Sequence, residues 1–109
     1  MSPASQNVRQ LDQLIDEITV DCHDEDEQLM GFESAFDEEA NFPCPGTVVG
    51  APVEVLHIGR GDCRRELIAT CARAGKRYEI ALLDVDIHAD PNIGRLLAAY
   101  RRWTALAAA

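Results

Sequence analysis

Apolar residues recur at helical spacing early in the chain: Val8, Leu11, Leu14, Ile15 and Ile18. At about 100° per residue they form one stripe, with Asp12, Asp16 and Glu17 outside it, which predicts an amphipathic helix. Asp21 to Asp24 breaks that pattern. Asp24 followed three residues later by Glu27 is a capping-box spacing and predicts the start of a second helix. Leu29, Phe32, Phe36 and Ala40 form its buried stripe. Asn41, Phe42 and Pro43 end it, because proline disfavours helical conformation in the residue before it.

The period then changes. Residues 46–50 and 52–58 are rich in β-branched side chains and are bounded by glycines, which predicts strands. Residues 59–62 read as a turn, 66–73 as a strand, 74–76 as a second turn, and 77–85 as a strand in which Tyr78, Ile80 and Leu82 alternate. Asp90 and Pro91 are an N-cap and a first helical position. Ile93, Leu96, Leu97, Tyr100 and Trp103 then form the apolar face of a last helix. The expected fold class is α+β: two acidic N-terminal helices, a small antiparallel β-meander or barrel, and a C-terminal helix. The expected organisation is one domain over 1–109, with residues 1–5 a disordered tail, 6–40 helical, 46–88 the meander and 90–106 the final helix.

Charge sharpens this picture. The 109 residues hold 10 basic and 19 acidic side chains, a net charge of -9. Between Gln10 and Gly59 there is no Lys or Arg, yet 13 of the acids lie there. Such a field repels nucleic-acid phosphates and anionic membranes and attracts cations or basic protein surfaces. No run approaches the ~20 apolar residues of a membrane span, and the first residues lack a signal-peptide pattern. A cytoplasmic location, with no nucleic-acid and no membrane partner, is therefore expected.

The sequence has no G-x-G-x-x-G, P-loop or nucleophile elbow, and His23, His57 and His88 have no visible common partner. No enzymatic activity is expected. Cys22, Cys44, Cys63 and Cys71 lack C-x-x-C spacing, which leaves free thiols as the expectation and a zinc or redox role as a competing one. An EF-hand loop needs glycine at its sixth position and glutamate at its twelfth. A loop starting at Asp24 has Leu29 at the sixth, and one starting at Asp84 has Ala89 at the sixth and Arg95 at the twelfth. Neither is an EF-hand.

On a helix, Asp26, Glu33 and Asp37 project within roughly 40° of one another along one flank of the second apolar stripe. Glu38 and Glu39 follow at the helix end, and the 41–45 segment offers backbone carbonyls. Hard cations such as Ca²⁺ take six to eight oxygen ligands of these kinds. Asp84 and Asp86, two apart, would share one face of a strand and with Asp90 form a second oxygen cluster. The alternative to metal binding is a solvated acidic face for the helix cluster, and a polar strand edge running into a helix cap for Asp84, Asp86 and Asp90. A further functional reading is an acidic interaction module that docks a basic partner protein.

The order of features also resembles a known family. Residues 27–32 (EQLMGF) and 35–39 (AFDEE) lead through Phe42-Pro43 to 50–55 (GAPVEV), then to 64–69 (RRELIA) and 77–82 (RYEIAL). This pattern resembles the small acidic calcium-binding proteins of bacteria, the CcbP-like family of cyanobacterial type, over about residues 12–105. The resemblance implies calcium buffering or sequestration by surface carboxylates on a compact α+β fold, without EF-hands and without catalysis. The matching acidic positions are Asp37, Glu38 and Glu39.

Overall fold

The computed structural model describes residues 3–60, 65–88 and 90–108. Helix α1 spans Pro3–Ile18, so residues 3–5, expected to lie in a tail, are helical, and residues 1 and 2 lie outside the described residues. Pro3 starts the helix because a first-turn position has no use for the N–H that proline lacks. Ile15 is buried, and Leu11, Leu14 and Ile18 pack against the core beside it. Asp21, at φ 64, turns the chain toward α2, which spans Glu25–Glu39. Asp24 Oδ1 accepts from the Glu27 N–H at 2.8 Å, while Glu27 Oε2 accepts from the His23 N–H at 2.9 Å. The two side chains thus satisfy backbone donors on both sides of the helix start. The Phe42-Pro43 peptide, which follows α2, is cis.

Five strands follow: β1 Cys44–Val48, β2 Ala51–Arg60, β3 Leu67–Arg73, β4 Lys76–Ala81 and β5 Asp86–Ile87. Their spatial order is β4-β3-β2-β1-β5, with every pair antiparallel. The first four strands make the expected meander. The chain then leaves β4 through a 3-10 turn, Leu82–Asp84, and returns to the opposite edge as β5. The sheet stays open, with β4 and β5 as its edges. The strand expected over 77–85 therefore ends at Ala81, because Leu82 and Val85 both turn into the core. Strand β2 runs through Gly59 and Arg60, where a turn was expected, and residues 61–64 of that turn lie outside the described residues. Arg101 fixes the returning strand: its Nη2 donates to Val85 O and to Asp86 Oδ1, each at 2.9 Å.

Helix α3, Pro91–Ala108, is capped by Asp90, whose Oδ1 accepts from the Ile93 N–H at 2.9 Å. The core lies between the helices and one face of the sheet. Its centre is aromatic. Phe32 meets Tyr100 edge-on at 5.6 Å and Trp103 at 5.2 Å, and Phe36 meets Tyr100 at 6.2 Å. The polar tips are satisfied: Tyr100 Oη accepts from the Leu67 N–H, and Trp103 Nε1 donates to Gln28, both at 2.8 Å. Burial pushes the Tyr100 hydroxyl above its ordinary pKa, so it stays protonated.

Two-residue turns join β1 to β2 at Val49-Gly50 and β3 to β4 at Ala74-Gly75, all four with positive φ. Such turns match the twist of the flanking strands. Val49 is a poor residue for the task. It is 97 % exposed at φ 50, where a β-branched side chain is strained and gains nothing from burial. Val49→Asn is expected to raise the unfolding free energy by about 1 kcal/mol in urea titrations, because Asn adopts this backbone conformation more readily. An unchanged or lower midpoint would show that the strain is already relieved in the wild-type turn.

Candidate metal centre

Helix α2 carries five of the acidic positions of interest, and its tertiary setting divides them. Asp26, Glu33 and Asp37 lie on the flank that borders β2. The register of β2 against β3 shifts between Val55 and His57, and β1 pairs only with the part of β2 before that shift. The last residues of β2 therefore have an edge without a strand neighbour, and α2 side chains occupy it. Glu33 Oε2 accepts from the Arg60 N–H at 2.7 Å, and Asp26 forms an ion pair with the Arg60 guanidinium. Gly59 makes room for this arrangement. A Cβ there would stand 2.7 Å from the His57 ring and 3.1 Å from Glu33 Oε2. Two of the three flank carboxylates thus have protein partners, both on Arg60. Asp37 is exposed, one turn beyond Glu33.

Glu38 and Glu39 point the other way. They line a groove of roughly 500 Å³ where α1, α2 and α3 converge. Leu14, Ile18, Gly31, Ala35 and Leu96 contribute apolar or small surface to it. Glu17, Glu38 and Glu39 contribute carboxylates, Ser34 and Asn92 contribute neutral oxygens, and Arg95 contributes a cation. Gly31 permits the close approach of the two helices, since a Cβ at that position would meet Ile18 O at 2.7 Å. In the helical pattern of α1, Glu17 is only one of the acids that fall outside the apolar stripe. The interior glycine of α2 was the one sequence signal of a close helix crossing, and it does not say which α1 residue arrives there.

The last turn of α2 is electrostatically unusual. It holds Asp37, Glu38 and Glu39 and no basic residue. Exposed carbonyls and the negative end of the helix dipole already disfavour anions at that point, and neighbouring like charges add to the cost. Acidic residues at the opposite end, Glu25, Asp26 and Glu27, sit where the dipole favours them.

Asp84 and Asp86 do not share a strand face. Asp84 closes the 3-10 turn and Asp86 belongs to β5, where Arg101 pairs with it. Asp90 is engaged in capping α3. Among the described residues, no three His, Cys, Asp or Glu side chains stand close enough together to hold one metal ion. The carboxylates match a hard cation in chemistry, and they are distributed over a surface rather than gathered into a ready cage.

Asp12 is committed elsewhere. Arg102 Nε and Nη2 reach its two carboxylate oxygens at 2.6 and 3.2 Å, a two-pronged link between α1 and α3. The hydrogen bond from Arg102 holds the Asp12 carboxyl below its usual pKa, and Asp12 raises that of Arg102. This link stabilises the fold fully at pH values above the unfolded carboxylate pKa, and the stabilisation is lost as pH falls through the lower folded value. Asp12→Asn is expected to lower the melting temperature at pH 7, and the gap between variant and wild type should close as the solution is acidified. A gap independent of pH would assign the effect to packing.

Cys44 and Cys71 are buried, and burial raises both thiols above their ordinary pKa. Val55 stands between them, paired with Cys44 on one side and with Cys71 on the other. Two strand spacings place their Cα atoms about 9–10 Å apart, beyond the ~7 Å reach of a disulfide. These are protonated core thiols. Cys22 is half-buried, with Sγ 3.5 Å from Glu27 O, and Cys63 lies outside the described residues. No helix among the described residues is long and apolar enough to cross a membrane.

Comparison with known proteins identifies the fold. A solved calcium-binding protein in its calcium-binding form matches with a TM-score of 0.77 and 23% identity, covering 98% of this chain and 98% of that one. The crystal structure of Anabaena CcbP matches with a TM-score of 0.71 and 23% identity, covering 96% of this chain and 94% of that one. No family model and no curated protein matches the sequence. The α+β arrangement expected from the order of sequence features is thus the fold of CcbP, along nearly the whole chain.

Proposed function

We propose that this protein binds calcium ions reversibly, as a buffer or sequestering protein, through surface carboxylates and without an EF-hand or a catalytic step. The observation that carries this reading is the last turn of α2. Asp37, Glu38 and Glu39 crowd the helix end that least tolerates negative charge, and no basic residue in that turn offsets them. A cation placed there relieves repulsion and interacts favourably with the helix carbonyls. The likeness in fold to a calcium-binding protein and to CcbP supports calcium as the ion.

Glu38 and Glu39, with Glu17 across the groove, are the first ligands in this reading. Ser34 and Asn92 are neutral oxygen donors beside them. Asp37 serves the other side of the helix, where Glu33 and Asp26 join it when they exchange Arg60 for the ion. Asp84 and Asp86 take no part in this site, since they do not line the groove and Arg101 pairs with Asp86. Because the carboxylates are scattered, bound water completes the coordination, and side chains swing inward on binding. Calcium tolerates such irregular shells, whereas magnesium demands a compact octahedron. Binding is expected to follow that preference.

Isothermal titration of metal-stripped protein tests the proposal directly. Calcium should give saturable binding, and magnesium at the same concentration should give little. Absence of binding at millimolar calcium would sink the reading.

A further inference from the structure

Strand β4 is an open edge of the sheet, and no turn or loop hydrogen bond among the described residues reaches it. The backbone of the preceding hairpin determines what that edge presents. Ala74 and Gly75 form a two-residue turn, so Arg73 and Lys76 are the hydrogen-bonded pair that closes it. Pair types alternate along an antiparallel ladder. Lys76, Tyr78 and Ile80 therefore aim their N–H and C=O groups at β3, and Arg77, Glu79 and Ala81 aim theirs at the open side. Side chains alternate as well, so Arg77 and Glu79 share one face of the sheet and Tyr78 lies on the other. Tyr78 is 47% exposed, at the margin of the helix-covered face.

We infer that β4 pairs antiparallel with β4 of a second copy of this chain, about a twofold axis through Tyr78. In that register Arg77 stands opposite Glu79 of the partner subunit, and symmetry repeats the contact with the roles reversed. Both are residues whose backbone groups face the open edge, so each pair exchanges two backbone hydrogen bonds and also joins opposite charges. Tyr78 meets Tyr78 of the partner subunit at the closer, non-hydrogen-bonded position, where aromatic pairs stabilise a sheet. Neighbouring registers are disfavoured. Centring the axis on Arg77 or on Glu79 preserves the hydrogen bonds and sets identical charges directly opposite each other. The edge is self-complementary in one register, which is the requirement of a twofold interface. The opposite edge, β5, has only two residues and offers no such ladder.

Sedimentation equilibrium from micromolar to millimolar protein tests this interface, with a monomer–dimer equilibrium expected for the wild type. Arg77→Glu and Glu79→Arg each convert both charge pairs to like charges and should weaken the dimer about tenfold or more. An equimolar mixture of the two variants restores complementarity, and so does the double variant Arg77→Glu/Glu79→Arg. Both are expected to associate as the wild type does. Both positions are exposed, so circular dichroism and melting temperature should remain unchanged. The double variant reads the same pairing in a single chain if one single variant folds poorly. A wild type that stays monomeric throughout overturns the inference. So does a dimer that ignores the single reversals, or a mixture and a double variant that both remain monomeric.

Discussion

Phe32→Ala lowers the unfolding free energy by about 3–5 kcal/mol, the range for emptying a fully buried aromatic site. The side chain has no exposed surface and contacts both Tyr100 and Trp103 of α3. Its removal loses the transfer energy of the ring and the aromatic contacts, and leaves a cavity that α2 and α3 cannot close without moving. Small domains are stable by about 5–15 kcal/mol, so the variant sits near the threshold of folding. Urea denaturation followed by the single Trp103 reads the effect, because that ring lies in the affected cluster. An unchanged slope with a much lower midpoint is the expected pattern. A loss below about 1 kcal/mol would mean that the helices collapse onto the space, and the aromatic cluster would then not organise the helical layer.

The second large effect is a reversal of rank order. Glu38→Gln combined with Glu39→Gln is expected to make the calcium-free protein more stable, by about 0.3–1 kcal/mol for each charge removed from the unfavourable helix end. The same double variant should lose most of the stabilisation that calcium confers. At a free concentration of 100 times Kd, a ligand that binds only the native state stabilises it by about 2.7 kcal/mol. For a domain of this size that corresponds to roughly 10 °C or more in melting temperature. The variant should therefore melt above the wild type in chelator and below it in calcium. Thermal melts of both proteins in both conditions check this. If the variant is less stable in chelator, the last turn of α2 is not electrostatically strained. If its calcium shift equals that of the wild type, the ion is held by other carboxylates, and Asp37 with Glu33 and Asp26 becomes the place to look.

Arg60 illustrates why a carboxylate count alone misleads. Its guanidinium engages Asp26, and its backbone N–H engages Glu33. Helical periodicity places Asp26, Glu33 and Asp37 on one flank. It cannot show that the single cation closing the base-free half of the sequence folds back onto that flank. Arg101 and Arg102 act in the same way on Asp86 and Asp12. The Arg101–Asp86 pair lies within the second half of the chain, whereas Arg60 and Arg102 neutralise part of the acidic first half. The carboxylates at the end of α2 are acids of that half with no such described partner.

The features legible along the chain are local ones. Apolar spacing located the helices and most strands, the Asp24–Glu27 and Asp90–Pro91 patterns marked helix starts that the hydrogen bonds reproduce, and Phe32, Phe36, Tyr100 and Trp103 were readable as core. These signals act over one or two turns of chain, where period and capping chemistry decide the outcome. Tertiary structure decided the rest. The return of the chain after Ala81 to the edge beside β1 follows from burying Leu82 and Val85 and from the grip of Arg101, contacts distant in sequence. The division of the α2 acids follows from where β2 and α1 dock against that helix. Glu38 and Glu39 came to share a groove with Glu17 because Gly31 lets α1 approach α2 closely, and no periodicity within either helix encodes that meeting.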